Sequence, residues 1–268
     1  MTLVHAVAYT ALGIAVGTIG TLIGAGGGFV LIPVLLFLHP NEPAANVTAL
    51  SLAVVFANAL SGSSAYARQG RVDWRSALLF ALAGFPGSLL GAWLTNFIDR
   101  RFFDPLLGVM LILGAILVLT RKQAPVSAAP ATATRTLVER DGTVHRYSPR
   151  IALGMLVSTG VGLLSSLLGI GGGIIHVPAM VYLLGFPTHI ATATSHAVLA
   201  ILSFSAVAVH AADGTLAPVL GRVIPIGAGA LIGAQIGARL SSVIHGRWIL
   251  RGLGLALFAV GVRLVLPR

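Results

Sequence analysis

The sequence contains no cysteine. Disulfides, thiol catalysis and cysteine-ligated metal are therefore excluded. Charge is scarce as well. Only 9% of the 268 residues are Asp, Glu, Lys or Arg, against about 25% in a domain that must wet its own surface. With 56% hydrophobic residues and a mean hydropathy of +0.96, the chain needs lipid as part of its solvent. Carboxylates are the rarest charge. Glu42, Asp73, Asp99, Asp104, Glu139, Asp141 and Asp213 all lie outside the central parts of the apolar runs. Cation transporters and proton pumps usually hold a carboxylate within the membrane, so a cation-transport role loses ground. The opening run, MTLVHAVAYTALGIAVGTIG, has no Lys or Arg before it and no clear cleavage site. It is expected to be a retained membrane segment, not a signal peptide. The formal charge of +10 sits mostly between apolar segments or at their ends. That fits topology signals better than a nucleic-acid surface, and no nucleic-acid partner is expected.

What is present is a series of long apolar runs, near 5–23, 28–38, 44–66, 74–97 and 102–120, then 150–168, 173–185, 189–211, 218–243 and 248–266. About 20 such residues span a bilayer. Helices are expected, because a backbone in lipid must satisfy its own hydrogen bonds, and the runs are too long and continuous for barrel strands. Residues 121–149, rich in Ala, Pro, Thr and charge, read as a polar cytoplasmic linker between a first membrane repeat, 1–120, and a second, 150–268. The halves superpose in sequence at an offset of 144–146: Gly24 on Gly169, Gly28 on Gly173, Pro33 on Pro178, Thr48 near Thr192, Ser51 near Ser195, Gly70 near Gly214, and GAWL at Gly91 near GARL at Gly237. An internal duplication follows. Placing the basic groups around Arg68, Arg71 and Arg75, the linker, and Arg239, Arg247 and Arg251 in the cytoplasm satisfies the positive-inside tendency. The matching loops at Gly70 and Gly214 then face opposite sides, as in inverted-repeat transporters. The expected fold is an all-α polytopic membrane protein of two inverted repeats, each of 4–5 membrane segments. Segment 28–38 either crosses fully or is half of a re-entrant hairpin.

Two glycine-rich stretches interrupt the runs: GAGGGFVLIP from Gly24 to Pro33, and GIGGGIIHVP from Gly169 to Pro178. Each interior Gly costs a helix about 1 kcal/mol relative to Ala, so two such clusters call for a reason. A helix restarting at Gly27 or Gly172 presents free N–H groups and the positive end of its dipole, which together bind anions. Gly26, Gly27, Gly28, Gly171, Gly172 and Gly173 are the backbone candidates for a small anionic substrate. Close helix packing through small residues is the competing explanation. Neither stretch supplies GxGxxG after a soluble strand, so a nucleotide fingerprint is a poor fit.

The paired GxGGG…P segments, the TALS and TATS stretches that follow them, the G-x-x-D-W of Gly70–Trp74 and the duplicated layout resemble the sulfite exporter TauE/SafE family, also called the 4-toluene sulfonate uptake permease family. The resemblance covers about 10–120 and 150–265. It implies a secondary transporter, an exporter of sulfite, sulfoacetate or other organosulfonates, in a bacterial inner membrane, with no cofactor and no metal. Two features depart from the family pattern: His176 within GIIHVP, and GTLAP after Gly214 in place of an Asp-Trp.

Intramembrane polar residues are functional candidates. Asn46, Thr48, Ser51 and Asn58 belong to the first half, and Thr192, Thr194, Ser195 and His196 to the second. Thr48, Ser51, Thr192 and Ser195 stand out as substrate-binding candidates because they recur beside the glycine motif, although Ser and Thr also bind helices together. With no buried carboxylate, a coupled proton must use a His or travel with the substrate. His176 and His196 are the candidate relays, with His210 behind them. Arg239 reads as an orientation residue, and Trp74, Trp93 and Trp248 as interfacial anchors. A passive channel or complex subunit is one competing class. An intramembrane hydrolase using Ser63 or Ser64 with His210 is another, and it needs a geometry that sequence does not give. A homo-oligomer is compatible with all of these.

Overall fold

In the computed structural model, residues 3–120, 135–241 and 247–266 are described. The first half contains α1 (Leu3–Ile23), α2 (Gly28–Leu38), α3 (Ala44–Arg68), α4 (Trp74–Leu94) and α5 (Arg100–Thr120). The second contains α6 (Ile151–Leu168), α7 (Gly173–Tyr182), α8 (Thr188–Ala212), α9 (Leu220–Leu240) and α10 (Arg247–Val265). Among the described residues, six helices are long and apolar enough to cross a membrane: α1, α3, α4 with the short turn after it, α6, α8, and α9 with the turn before it. α2 and α7 are too short, at 11 and 10 residues. At 1.5 Å per residue each covers about 16 Å, half of the hydrocarbon core. The 28–38 segment is therefore half-length, and the 173–185 segment ends at Tyr182.

Close backbone approach sets the helix pairing. α1 lies along α9, and α4 along α6. A Cβ on Gly13 would sit 2.0 Å from the Ile226 carbonyl oxygen, and one on Gly229 2.1 Å from that of Thr10. The same holds for Gly87 against Thr159 and Gly162 against Gly84, at 2.3 Å each. These are small-residue seams, the usual way for membrane helices to gain packing where lipid offers no hydrophobic drive. Both pairs run parallel, since Gly13, Gly17 and Thr18 meet Ile226, Ala230 and Gly237 in the same order. α3 and α8 run antiparallel, with Gly62 against His196 and Phe56 against Phe204. α5 and α10 also run antiparallel, with Gly108 against Gly261 and Leu119 against Gly254.

The linker contains an element that was not expected. Its residues 135–147 form an antiparallel hairpin, β1 (Arg135–Val138) and β2 (Val144–Tyr147), with Arg135 opposite Tyr147. The hairpin docks on the bundle. Arg140 N donates to Gln69 O at 2.9 Å, Arg71 Nε to Glu139 Oε2 at 2.5 Å, and Tyr147 Oη to Asp73 Oδ2 at 2.9 Å. Gln69 Nε2 reaches Ala238 O at 3.1 Å, so the α3–α4 loop, the hairpin and the end of α9 share one end of the bundle. This linker end gathers Arg68, Arg71, Arg140 and Arg239. The other end holds Glu42, bound by Arg222 at 2.7 Å, and Asp213, which accepts from Asn96 at 2.6 Å. Arg121 and Lys122 lie outside the described residues, as do the side chains of Arg247, Trp248 and Arg251. Trp74 and Trp93 stand near the two ends of α4, both exposed.

Candidate functional site

The glycine stretches are breaks in the helices. α1 ends at Ile23 and α6 at Leu168, and α2 and α7 start at Gly28 and Gly173. Gly27 and Gly172 are the N-cap residues, with φ of 85° and 48°, and neither helix start has a side-chain cap. A left-handed cap with no Cβ is where glycine is required. The cap carbonyls take up the later first-turn amides, Val30 N on Gly27 O and Ile175 N on Gly172 O, both at 3.0 Å, while no side chain caps the amides ahead of them. All residues of Gly24–Gly28 and Gly169–Gly173 are buried.

The two breaks meet face to face. A Cβ on Gly28 would lie 2.5 Å from Gly169 O, and one on Gly173 2.2 Å from Gly24 O. Each loop is held by the long helix of the opposite half. Ser51 Oγ of α3 donates to Gly169 O at 2.7 Å, and Ser195 Oγ of α8 to Gly24 O at 3.4 Å. Thr192 covers Gly24, and Thr48 covers Gly169. Thr48 Oγ1 is buried and makes no hydrogen bond. The structure thus brings together all ten residues expected to contact substrate. It gives Ser51 and Ser195 a crosslinking task in this conformation, and leaves Thr48 with a spare hydroxyl.

The two candidate relay histidines occupy separate clusters. His196 Nε2 lies 3.2 Å from Thr21 Oγ1 and 3.5 Å from Asn58 Nδ2, and Thr21 donates to Asn58 Oδ1 at 3.0 Å. Tyr66 stands edge-on to the His196 ring and donates to Thr21 O at 2.8 Å. Gly62 makes room for that ring, since a Cβ there would come within 2.6 Å of it. His196 follows Ser195 directly, so this cluster adjoins the Gly24 loop. His176, on α7, faces Ser158 Oγ at 3.0 Å and the edge of Phe80. Sequence reasoning missed Thr21, Tyr66 and Ser158, which look like ordinary helix residues until the fold puts a histidine beside them. A separate triad of hydroxyls joins the halves: Ser88 of α4 lies 2.8 Å from Ser166 of α6 and 2.9 Å from Ser205 of α8.

Other candidates fall elsewhere. Asn46 lies in the first turn of α3, with Nδ2 3.4 Å from Glu42 Oε1. Thr194 Oγ1 accepts from Asp73 N at 3.0 Å and so joins α8 to the α3–α4 loop. Ser63 and Ser64 donate to carbonyls of their own helix. His210 bonds Thr215 near the C-terminal end of α8. Gly62 sits beside His196, about 21 Å along α8 from His210 at 1.5 Å per residue, so no Ser–His dyad is assembled. Among the described residues no group of His, Asp or Glu could hold a metal ion.

The match to the TauE/SafE sulfite exporter family model runs over residues 9–264, both glycine breaks included. The chain belongs to the TauE/SafE sulfite exporter family. It is 32% identical over 262 residues to the "Probable membrane transporter protein YunE" of Bacillus subtilis, covering 95% of each chain. It is 26% identical to y4hK of Sinorhizobium fredii, covering 97% of this chain and 96% of that one. With MJ0441 of Methanocaldococcus jannaschii it shares 28% identity over 72% and 67% of the two chains. Both of these are also named as probable membrane transporter proteins. No solved structure matches. The protein is a multi-pass membrane transporter of this family.

Proposed function

We propose that this family member is a secondary transporter that exports small sulfur-containing anions, such as sulfite, sulfoacetate or another organosulfonate, by alternating access between two inverted repeats. One observation carries the reading: two uncapped helix starts, at Gly27 and Gly172, converge in the apolar core, on the seam between the two halves. Such ends attract an anion without a buried Lys or Arg. The antiparallel pairing of α3 with α8 and of α5 with α10, with the reciprocal Ser51–Gly169 and Ser195–Gly24 contacts, supports inverted repeats. Rocking one half against the other would separate the loops and admit the anion between them, the general scheme for such folds. In the resting packing the loops fill each other's space, so the site forms as they part.

Purified protein in liposomes tests this. Uptake of sulfite, sulfoacetate, thiosulfate, sulfate and simple carboxylates is measured with and without a pH gradient, beside Gly27→Leu and Gly172→Leu. Saturable flux of a sulfur anion, lost in both variants while each stays folded, is the expected result. Flux that persists in folded variants moves the site away from the glycine loops. Flux that ignores every gradient but its own indicates a passive channel, and a preference for carboxylates another oxyanion.

A further inference from the structure

A basic site lies at the linker end, and none of the glycine-loop residues lines it. A cavity of about 550 Å³ opens between the hairpin turn and the C-terminal ends of α3 and α9. Arg68, Arg71, Arg140 and Arg239 line it, with Glu139 and Asp141. The two carboxylates are already engaged. Glu139 binds Arg71 Nε through Oε2, and His145 Nε2 at 2.7 Å through Oε1. Asp141 Oδ1 accepts from Thr143 N at 2.9 Å, closing the hairpin turn. Three of the guanidiniums, those of Arg68, Arg71 and Arg140, are less well matched. Arg68 and Arg140 are exposed and make no ion pair among the described residues. Arg71 is 8% exposed, and its Nη1 has no hydrogen-bond partner. Two helix C-termini converge here, and by themselves they would favour a cation; the excess of Arg reverses that preference. A guanidinium fork suits the paired oxygens of a tetrahedral oxyanion.

We infer that this cavity is an oxyanion-binding site, built by the docking of the β1–β2 hairpin on α3 and α9. Its ligand carries a sulfate-like, sulfonate or phosphate group, whether as a soluble anion or as the headgroup of an anionic lipid. The hairpin supplies Arg140 and, through Glu139, fixes Arg71; α3 and α9 supply Arg68 and Arg239. The site goes beyond the proposed transport reaction and does not depend on it, because equilibrium binding tests it without flux.

The experiment titrates sodium sulfate into the intact protein in maltoside micelles by calorimetry, at ionic strength held constant with chloride. Arg68→Gln/Arg140→Gln should fold normally, since neither side chain is paired, and should bind sulfate about tenfold more weakly, as expected for lost charge-assisted hydrogen bonds. Arg75→Gln, in the first turn of α4 and outside the cavity, should bind as the parent does. Adding phosphatidylglycerol separates the sources. Weaker sulfate binding in the parent but not in the double variant identifies a lipid headgroup as competitor, and an unchanged titration identifies a soluble anion. The inference fails if the parent shows no sulfate binding up to about 50 mM, in the millimolar range where weak sites register. It fails equally if the double variant binds as tightly as the parent while Gly27→Leu or Gly172→Leu abolishes binding, which would place the sulfate at the glycine loops.

Discussion

Ser51 donates its hydroxyl to the carbonyl of Gly169 across 2.7 Å, joining α3 of the first half to the break between α6 and α7 of the second. The carbonyl belongs to a buried loop with no regular ladder to satisfy it. Ser51→Ala would leave it unpaired, at a cost of about 1–3 kcal/mol. The expected result is a lower melting temperature in detergent. Ser195→Ala should cost less, because the contact with Gly24 is longer, at 3.4 Å. Equal melting temperatures for both variants and the parent would show that neither hydroxyl secures its loop.

Glycine at the meeting of the breaks is required by space. Gly28→Ala and Gly173→Ala would each drive a methyl group into a carbonyl of the opposite loop, at 2.5 and 2.2 Å. Both variants should lose flux in liposomes, and expression should fall. Gly142→Ala is the contrasting case. Its φ of 90° is strained for alanine, yet a Cβ there meets nothing within 4 Å. It should cost about 1 kcal/mol and leave flux intact.

The membrane helices were legible in the sequence because long apolar runs admit few other structures: 5–23 became Leu3–Ile23 and 189–211 became Thr188–Ala212. The breaks were legible from the paired glycine clusters. The identity of their partners was not. Ser51 and Ser195 bond backbone carbonyls 118 and 171 residues away, and a carbonyl acceptor carries no side-chain signature. The hairpin was missed because its strands are only four residues each and lie in a polar stretch. A signal was present in Asp141-Gly142 between TLVER and TVHRY, a turn dipeptide between β-prone residues. Arg71, Asp73 and Tyr147 acquire their roles only when that hairpin docks.

Asp73 is the clamp between the hairpin and the bundle. It accepts from Ser76 N and Oγ and from Tyr147 Oη, and it pairs with Arg135. Burial pushes its carboxyl pKa up, but the hydrogen bonds from Ser76, Tyr147 and Arg135 outweigh that and hold it below the ordinary value of 3.8. A depressed carboxylate contributes its stability above the unfolded value, and loses it as pH falls from there through the folded value. The clamp should therefore be indifferent to pH between 5 and 8, and should loosen only below about 4. Limited proteolysis of the hairpin checks this. Cleavage should be equal at pH 5 and pH 8 in the parent and faster at both in Asp73→Asn, which keeps the shape but removes the charge. A parent whose hairpin opens between pH 8 and pH 5 would contradict the clamp.

His196 allows transport and fold to be separated. Its Nε2 faces Thr21 and Asn58, so His196→Ala leaves both short of a partner within the bundle and should destabilise the protein by about 1–2 kcal/mol, the scale of buried polar contacts between membrane helices. His196→Gln keeps a hydrogen-bonding group at that place, and its melting temperature should stay near that of the parent. If the imidazole carries the coupled proton, His196→Gln should still bind sulfite or sulfonate but should lose the stimulation of flux by a pH gradient, which glutamine has no titration to support. His176→Gln is the internal comparison, since His176 lies in a different cluster, against Ser158 and Phe80. Gradient stimulation that survives in His196→Gln and disappears in His176→Gln transfers the relay to the second cluster. Stimulation that survives in both means that the proton crosses with the substrate anion itself, which the absence of carboxylates from the central parts of the apolar runs also permits.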